Sequence, residues 1–196
     1  GFNNTQDYED FVESNSDLPY QDRFMFKNEL PSEFADELFN LEEGETFGPY
    51  QHNGYFKISK LVETKQIPDS TKASHILVAY QGQQFAPEEE AEALADSLVN
   101  VIRGNKEKFA ELAAEFSSDR SNNQDGGDLG YFGPGTMVPE FDSYVFENNA
   151  GDVGVVETDF GYHVIHIEEQ TEREKAVKIA TIARELEASE RSRNNL

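Results

Sequence analysis

With no cysteine among its 196 residues, this chain must take any chemistry from histidines, carboxylates and hydroxyls. Thiolate nucleophiles, cysteine-based zinc sites and disulfides are excluded together. Four histidines are present: His52, His75, His163 and His166. His75 sits in KASHILVAY (72–80), a β-branched and aromatic run that reads as a strand. Alternation places His75, Leu77 and Ala79 on one face of it. A lone histidine at such a position is more often a core residue than a catalytic one. A later predicted strand (162–168) carries His163 on one face and His166 on the other, and His52 and His166 read as surface histidines. The acidic candidates Asp119, Asp125 and Asp128 share the glycine-rich stretch SSDRSNNQDGGDLG, where aspartates also serve as turn residues.

Several elements must position these residues. After the first strand, Pro87 and three glutamates open a helix with Ala91, Leu94, Ala95, Leu98 and Val101/Ile102 on its apolar face, stopped by Gly104. A second helix covers about 106–116, and Pro139 opens a third that holds Phe141, Val145 and Phe146. Short strands are expected at 128–132, 153–156 and 162–168, the last two joined by a turn through 159–161. Such short connections favour a small antiparallel sheet packed on helices, an α+β fold.

The N-terminal third repeats part of this pattern. A shift of 107 residues aligns Glu33 with Glu140, Phe34 with Phe141, Phe39 with Phe146, Gly44 with Gly151, Gly54 with Gly161 and Tyr55 with Tyr162, without a gap. Residues 1–66 therefore read as a degenerate half-module, 65–70 (KQIPDS) as a linker and 71–169 as the main domain. In the tail, 170–196, EKAVKIATI resembles TKASHILVA and reads as a strand, followed by the start of a helix, as the opening of a further module. The net charge of −23 disfavours nucleic acid and anionic membrane surfaces as partners. No run of about 18 apolar residues is present. A start at Gly1 reads as a processed or excised segment, with any anchor outside it.

SHILV, GGDLGYF, GTMVPEFDSYVF and ETDFGYHVI, in this order, resemble the motif set of the parvulin family of peptidyl-prolyl cis/trans isomerases, above all bacterial extracytoplasmic foldases of the SurA, PrsA and PpiD kind. The resemblance implies a parvulin-like sheet and helices, preceded by a degenerate partial parvulin-like module. It implies a site of His75, Asp119, His163 and Thr158, with Leu129, Met137, Phe141 and Phe160 as an apolar cup for the proline ring. It implies partly folded proteins with Xaa–Pro bonds as partners, and an extracytoplasmic, periplasmic location, anchored to the inner membrane by a segment not present here.

Each part has a physical use. Rotating an Xaa–Pro amide across a barrier of roughly 18–20 kcal/mol breaks no bond, so no nucleophile, metal or cofactor is required. An apolar cup desolvates the imide and immobilises the ring, a carboxylate opposes negative charge on the carbonyl oxygen, and paired histidines fix each other's tautomers. In the N-terminal copy Phe56 takes the place of His163, Asn53 that of Phe160 and Gln51 that of Thr158, which implies an inactive module. The segment after the first strand, AYQGQQFAPEEE, has no cation, so selectivity for phosphorylated substrates is not expected. A competing reading is a peptide-binding chaperone module with incidental or no isomerase turnover.

Overall fold

The computed structural model describes residue 2, residues 7–80 and residues 87–186. The loop expected at 81–85 and the helix start expected after the tail's strand lie outside the described residues. The chain divides into two compact units, one built from residues 1–66 with 174–196, the other from 67–173.

In the second unit, β4 (Thr71–Val78), β5 (Asp128–Phe132), β6 (Val153–Thr158) and β7 (Gly161–Gln170) form an antiparallel sheet in the order β5-β4-β7-β6. Helices α3 (Glu88–Gly104) and α4 (Phe109–Phe116) cover one face. α3 begins after Pro87 with three glutamates near its positive end and buries Ala91, Ala95, Leu98, Val99 and Ile102. These meet Ile76, Val78, Tyr162 and Val164 from the sheet and Phe109 and Ala113 from α4. Of the two alternatives at the end of the α3 stripe, Ile102 is buried and Val101 exposed. On the other face lies α5 (Pro139–Glu147), with proline at its first turn and Phe141, Val145 and Phe146 buried. This face carries His75 and His163.

Two glycines permit this sheet to close. Gly127 has φ of +74°, and a Cβ there would lie 2.1 Å from the His75 carbonyl oxygen. Its own carbonyl accepts the His75 amide at 2.9 Å, which ties the GGDLG loop to β4. Gly161 has φ of +133° and would place a Cβ 2.5 Å from the Val78 carbonyl oxygen.

In the first unit, β1 (Phe24–Met25), β2 (Thr46–His52), β3 (Tyr55–Pro68) and β8 (Arg173–Glu185) form a sheet in the order β1-β8-β3-β2. Helices α1 (Tyr8–Asn15) and α2 (Ala35–Phe39) bury Val12 and Leu38. The segment expected to be a linker is largely strand: β3 continues to Pro68, because Ile67 and Pro68 are buried despite the polar residues around them. The tail's strand, β8, lies between β1 and β3.

The two sheets correspond strand for strand. α2-β2-β3 matches α5-β6-β7, and β8 takes the place of β4. Lys178 and Val177 pair with Phe24 and Met25 as Lys72 and Thr71 pair with Tyr131 and Phe132, so β8 follows β4 at a spacing of 178 − 72 = 106.

The ungapped alignment at 107 also fails partway. A register irregularity between Phe47 and Tyr50 gives β2 seven residues where β6 has six. Past this bulge the hairpin closes at His52↔Tyr55, against Thr158↔Gly161, a spacing of 158 − 52 = 106. One residue reverses the facing of a strand. Lys57, not Phe56, therefore occupies the place of His163. The burial agrees: Phe56 and Ile58 are 45% and 39% exposed, whereas Ser59 and Leu61 are 0% and 1% exposed.

The glycine geometry separates two substitutions of equal chemistry. Gly130 also has positive φ, +66°, yet a Cβ there meets nothing within 4 Å. Gly130→Ala should cost about 1 kcal/mol, the left-handed penalty alone, and Gly127→Ala more than about 3 kcal/mol. Urea unfolding midpoints of the two variants measure the difference.

Candidate active site

The register of β4 against β7 decides where the histidines meet. Leu77 lies opposite His163, and His75 lies opposite Ile165, so the two imidazoles are diagonal neighbours on one face. Diagonal pairs are within reach of long side chains, and here the rings stack at 5.3 Å between centroids. Their Nδ1 atoms are 3.0 Å apart.

A loop holds the carboxylate. Ser117 Oγ accepts the amides of Leu77 and Asp119 at 3.1 and 3.3 Å, and the Ser118 amide reaches the Leu77 carbonyl at 2.7 Å. This clamp against β4 brings Asp119 Oδ2 to 3.0 Å from His75 Nε2. Asp119 Oδ1 accepts the amide and hydroxyl of Ser121 at 3.0 and 2.6 Å, and Asn122 Nδ2 donates to Oδ2 at 3.1 Å. On the far side, Thr158 Oγ1 lies 2.8 Å from His163 Nε2 and accepts the Phe160 amide at 3.1 Å.

Protons can occupy this chain in one consistent direction. His75 Nε2–H donates to the Asp119 carboxylate, which leaves His75 Nδ1 as an acceptor. His163 Nδ1–H donates to it, His163 Nε2 becomes an acceptor, and the Thr158 hydroxyl donates there. Both imidazoles are then neutral. Burial lowers the pKa of His163 to about 4, with the neighbouring His75 adding to the effect. Burial also lowers that of His75, against the opposing pull of Asp119. Burial alone would raise the Asp119 carboxyl, but the hydrogen bonds from Ser121 and His75 outweigh it and hold the pKa below the ordinary value.

A recess of about 450 Å³ opens above this chain, lined by His75, Leu77, Ser118, Asp119, Arg120, Leu129, Met137, Val138, Phe141, Phe160 and His163. All four expected cup residues line it. Phe141, 2% exposed, forms its floor and meets both imidazoles edge-on at 5.9 and 5.4 Å, whereas Phe160, 59% exposed, stands at its rim. Thr158 is buried behind His163 rather than in the wall. His166 is not a surface residue: it is half-buried on the opposite face, against the Phe109 ring at 5.8 Å. Sequence reasoning missed Ser117, Ser121 and Asn122 as the supports of Asp119, and Arg120 as a lining cation. Ser-x-Asp-x-Ser spacing is the signal that could have found the serines, since short side chains there bond to local backbone.

The arrangement provides no activated nucleophile; it offers an apolar seat beside fixed, uncharged rings and one anchored carboxylate. That is the equipment of a rotamase, and the antiparallel α+β scaffold around it is that of the parvulin class. The PPIC-type PPIase domain family matches residues 56–171. The chain belongs to that family. It is 36% identical over 151 residues to Chaperone SurA of Chromohalobacter salexigens, covering 73% of this chain and 34% of the relative. It is likewise 36% identical over 152 residues to Chaperone SurA of Saccharophagus degradans, covering 74% and 34%. The chain thus spans about a third of the length of these relatives. Among solved structures, PrsA of Bacillus anthracis is 33% identical over 56% of this chain and 44% of that one, with a TM-score of 0.43.

The neutral state of His163 has a measurable consequence. In the unfolded chain it takes up a proton near pH 6.5, in the folded chain only near 4. Between these values the unfolded state binds the extra proton, so acidification lowers stability; above about pH 6.5 there is no effect. Relative to His163→Gln, the wild type should lose up to about 3 kcal/mol on going from pH 7 to 4, at roughly 1.4 kcal/mol per unit. Parallel stability curves for the two proteins would show an ordinary pKa instead.

Proposed function

We propose that the second unit is a peptidyl-prolyl cis/trans isomerase without phosphate selectivity, acting on unfolded or partly folded proteins outside the cytoplasm. The observation that carries this reading is the recess itself, in which Leu129, Met137, Phe141 and Phe160 gather beside His75, His163 and Asp119. The proline ring sits over Phe141 between Met137 and Leu129, which excludes water from the imide and holds one side of the bond still. The Asp119 carboxylate opposes build-up of negative charge on the substrate carbonyl, which weakens the C–N double-bond character and favours the twisted state. The histidines and Thr158 keep that carboxylate and the cup in place without adding charge. Arg120 is the one cation among the described lining residues, and a single exposed guanidinium is a weak phosphate site.

Uncatalysed isomerisation takes tens of seconds or longer and limits folding, and the SurA relatives are named chaperones, which supports a role with folding clients. The extracytoplasmic location is part of the same reading. Among the described residues no helix is long and apolar enough to cross a membrane. We infer further that the first unit is a degenerate parvulin-like module, supported by its matching strand order. It carries Lys57 and Thr181 in the places of the two histidines.

Isomerisation of an Xaa–Pro peptide followed by NMR exchange tests the proposal. Wild type should accelerate it well above background. His75→Ala and Asp119→Asn should lower kcat/KM about tenfold or more, equivalent to about 1.4 kcal/mol, and Met137→Ala should act mainly through KM. Phe141→Ala is a poor probe, because removing so buried a ring costs about 3–5 kcal/mol of stability. Wild-type rates equal to background would sink the enzymatic reading, and suppression of client aggregation that survives these substitutions would favour the chaperone one.

A further inference from the structure

The first unit contains a recess of its own, about 240 Å³, at the position that the active site occupies in the second. A cavity of roughly 150 Å³ accepts a benzene-sized group, so this one holds a single large apolar side chain with space beside it. Met25, Leu30, Leu38 and Ile179 supply its apolar wall. Its polar residues differ from the catalytic set. Tyr50, Ser59 and Thr181 form a chain of hydroxyls, at 2.7 Å from Tyr50 to Ser59 and 2.8 Å from Ser59 to Thr181.

Lys57 lines the same recess. Its ammonium donates to His52 Nδ1 at 3.3 Å and has no carboxylate within ion-pair distance among the described residues. Burial lowers its pKa, so the charge is under-solvated where it stands. In a chain with 39 acidic and 16 basic residues, an unmatched lysine inside an apolar recess is the exception. Glu29, the acidic residue in the lining, is already engaged: Oε1 pairs with Arg23 at 2.7 Å and Oε2 accepts the Phe26 amide at 2.7 Å.

From this apolar wall and unpaired ammonium, we propose that the first unit binds the carboxyl-terminal residue of a polypeptide when that residue is large and apolar. The side chain fills the recess, and the terminal carboxylate accepts from Lys57. A neutral apolar group would leave the ammonium unmet, and an internal peptide segment would present no charge to it. Unlike the isomerase reading, this site needs neither His75 nor His163.

Amide chemical shifts of the whole chain, titrated with N-acetyl-Ala-Ala-Phe as free acid and as carboxamide, test the proposal; neither probe contains proline. The free acid should shift Lys57, Ser59 and Thr181 and bind about tenfold more tightly than the carboxamide. N-acetyl-Ala-Ala-Ser should bind at least about tenfold more weakly than the Phe acid. Lys57→Met should reduce the acid to the affinity of the carboxamide, and His75→Ala should leave all of this unchanged while lowering the kcat/KM of isomerisation about tenfold or more. Equal binding of acid and carboxamide to the wild type, or shifts confined to the surroundings of His75 and His163, would overturn the assignment. The wild-type comparison decides the matter even if Lys57→Met fails to fold.

Discussion

From the Phe160 amide to the Asp119 carboxylate runs a chain of hydrogen bonds that has one direction only, and it exists only while His75 and His163 are both neutral. A second proton on His75 would put two donors face to face at 3.0 Å, and one on His163 would reverse its bond with the Thr158 hydroxyl. Burial enforces neutrality, and the strand register enforces contact. Each remaining feature of the site leans on this. The carboxylate keeps its charge because serine donors outweigh its own desolvation. Phe141 can floor the recess because the rings above it stay fixed and edge-on.

Charge is therefore scarce in the recess proposed to seat substrate, although the chain as a whole carries −23. Catalysis of a bond rotation has no use for a strong field from many groups. On the proposed reading it uses one carboxylate whose position relative to the imide oxygen is set, in surroundings dry enough for that one charge to act. The clamp of Ser117 on β4, Ser121 on Oδ1 and Asn122 on Oδ2 supplies the positioning, and Leu129, Met137 and Phe160 restrict water.

The two units make a comparison inside one chain. Both place a helix and an antiparallel hairpin beside a strand in third-to-last position of the same order, yet in one case that strand follows the hairpin in sequence and in the other precedes it. Equivalent sites hold imidazole and imidazole in the second unit, hydroxyl and ammonium in the first. A relay of neutral rings cannot be built from Thr181 and Lys57, whereas a seat for an anion can. A single extra residue in β2 produced half of that exchange by turning Lys57 inward and Phe56 out.

Periodicity alone carried the helices, strands and antiparallel α+β character of the second unit, since each of its elements has a clear apolar face and glycine or proline at its ends. The types of residue available for chemistry were equally legible: no thiol, few histidines, aromatic residues at regular places. What sequence could not determine was register. The diagonal meeting of His75 and His163 arises from pairing between residues 88 positions apart. The roles of Ser117, Ser121 and Asn122 arise from a loop whose path is set by Gly127 against β4. In the first unit the ungapped repeat misplaced the residue that faces the recess from β3, because a bulge shifts facing by one without altering composition, and it did not reach β8, which joins its sheet from more than a hundred residues away. Side-chain period is local and survives in sequence; strand pairing is a long-range choice made by packing, and only the folded chain contains it.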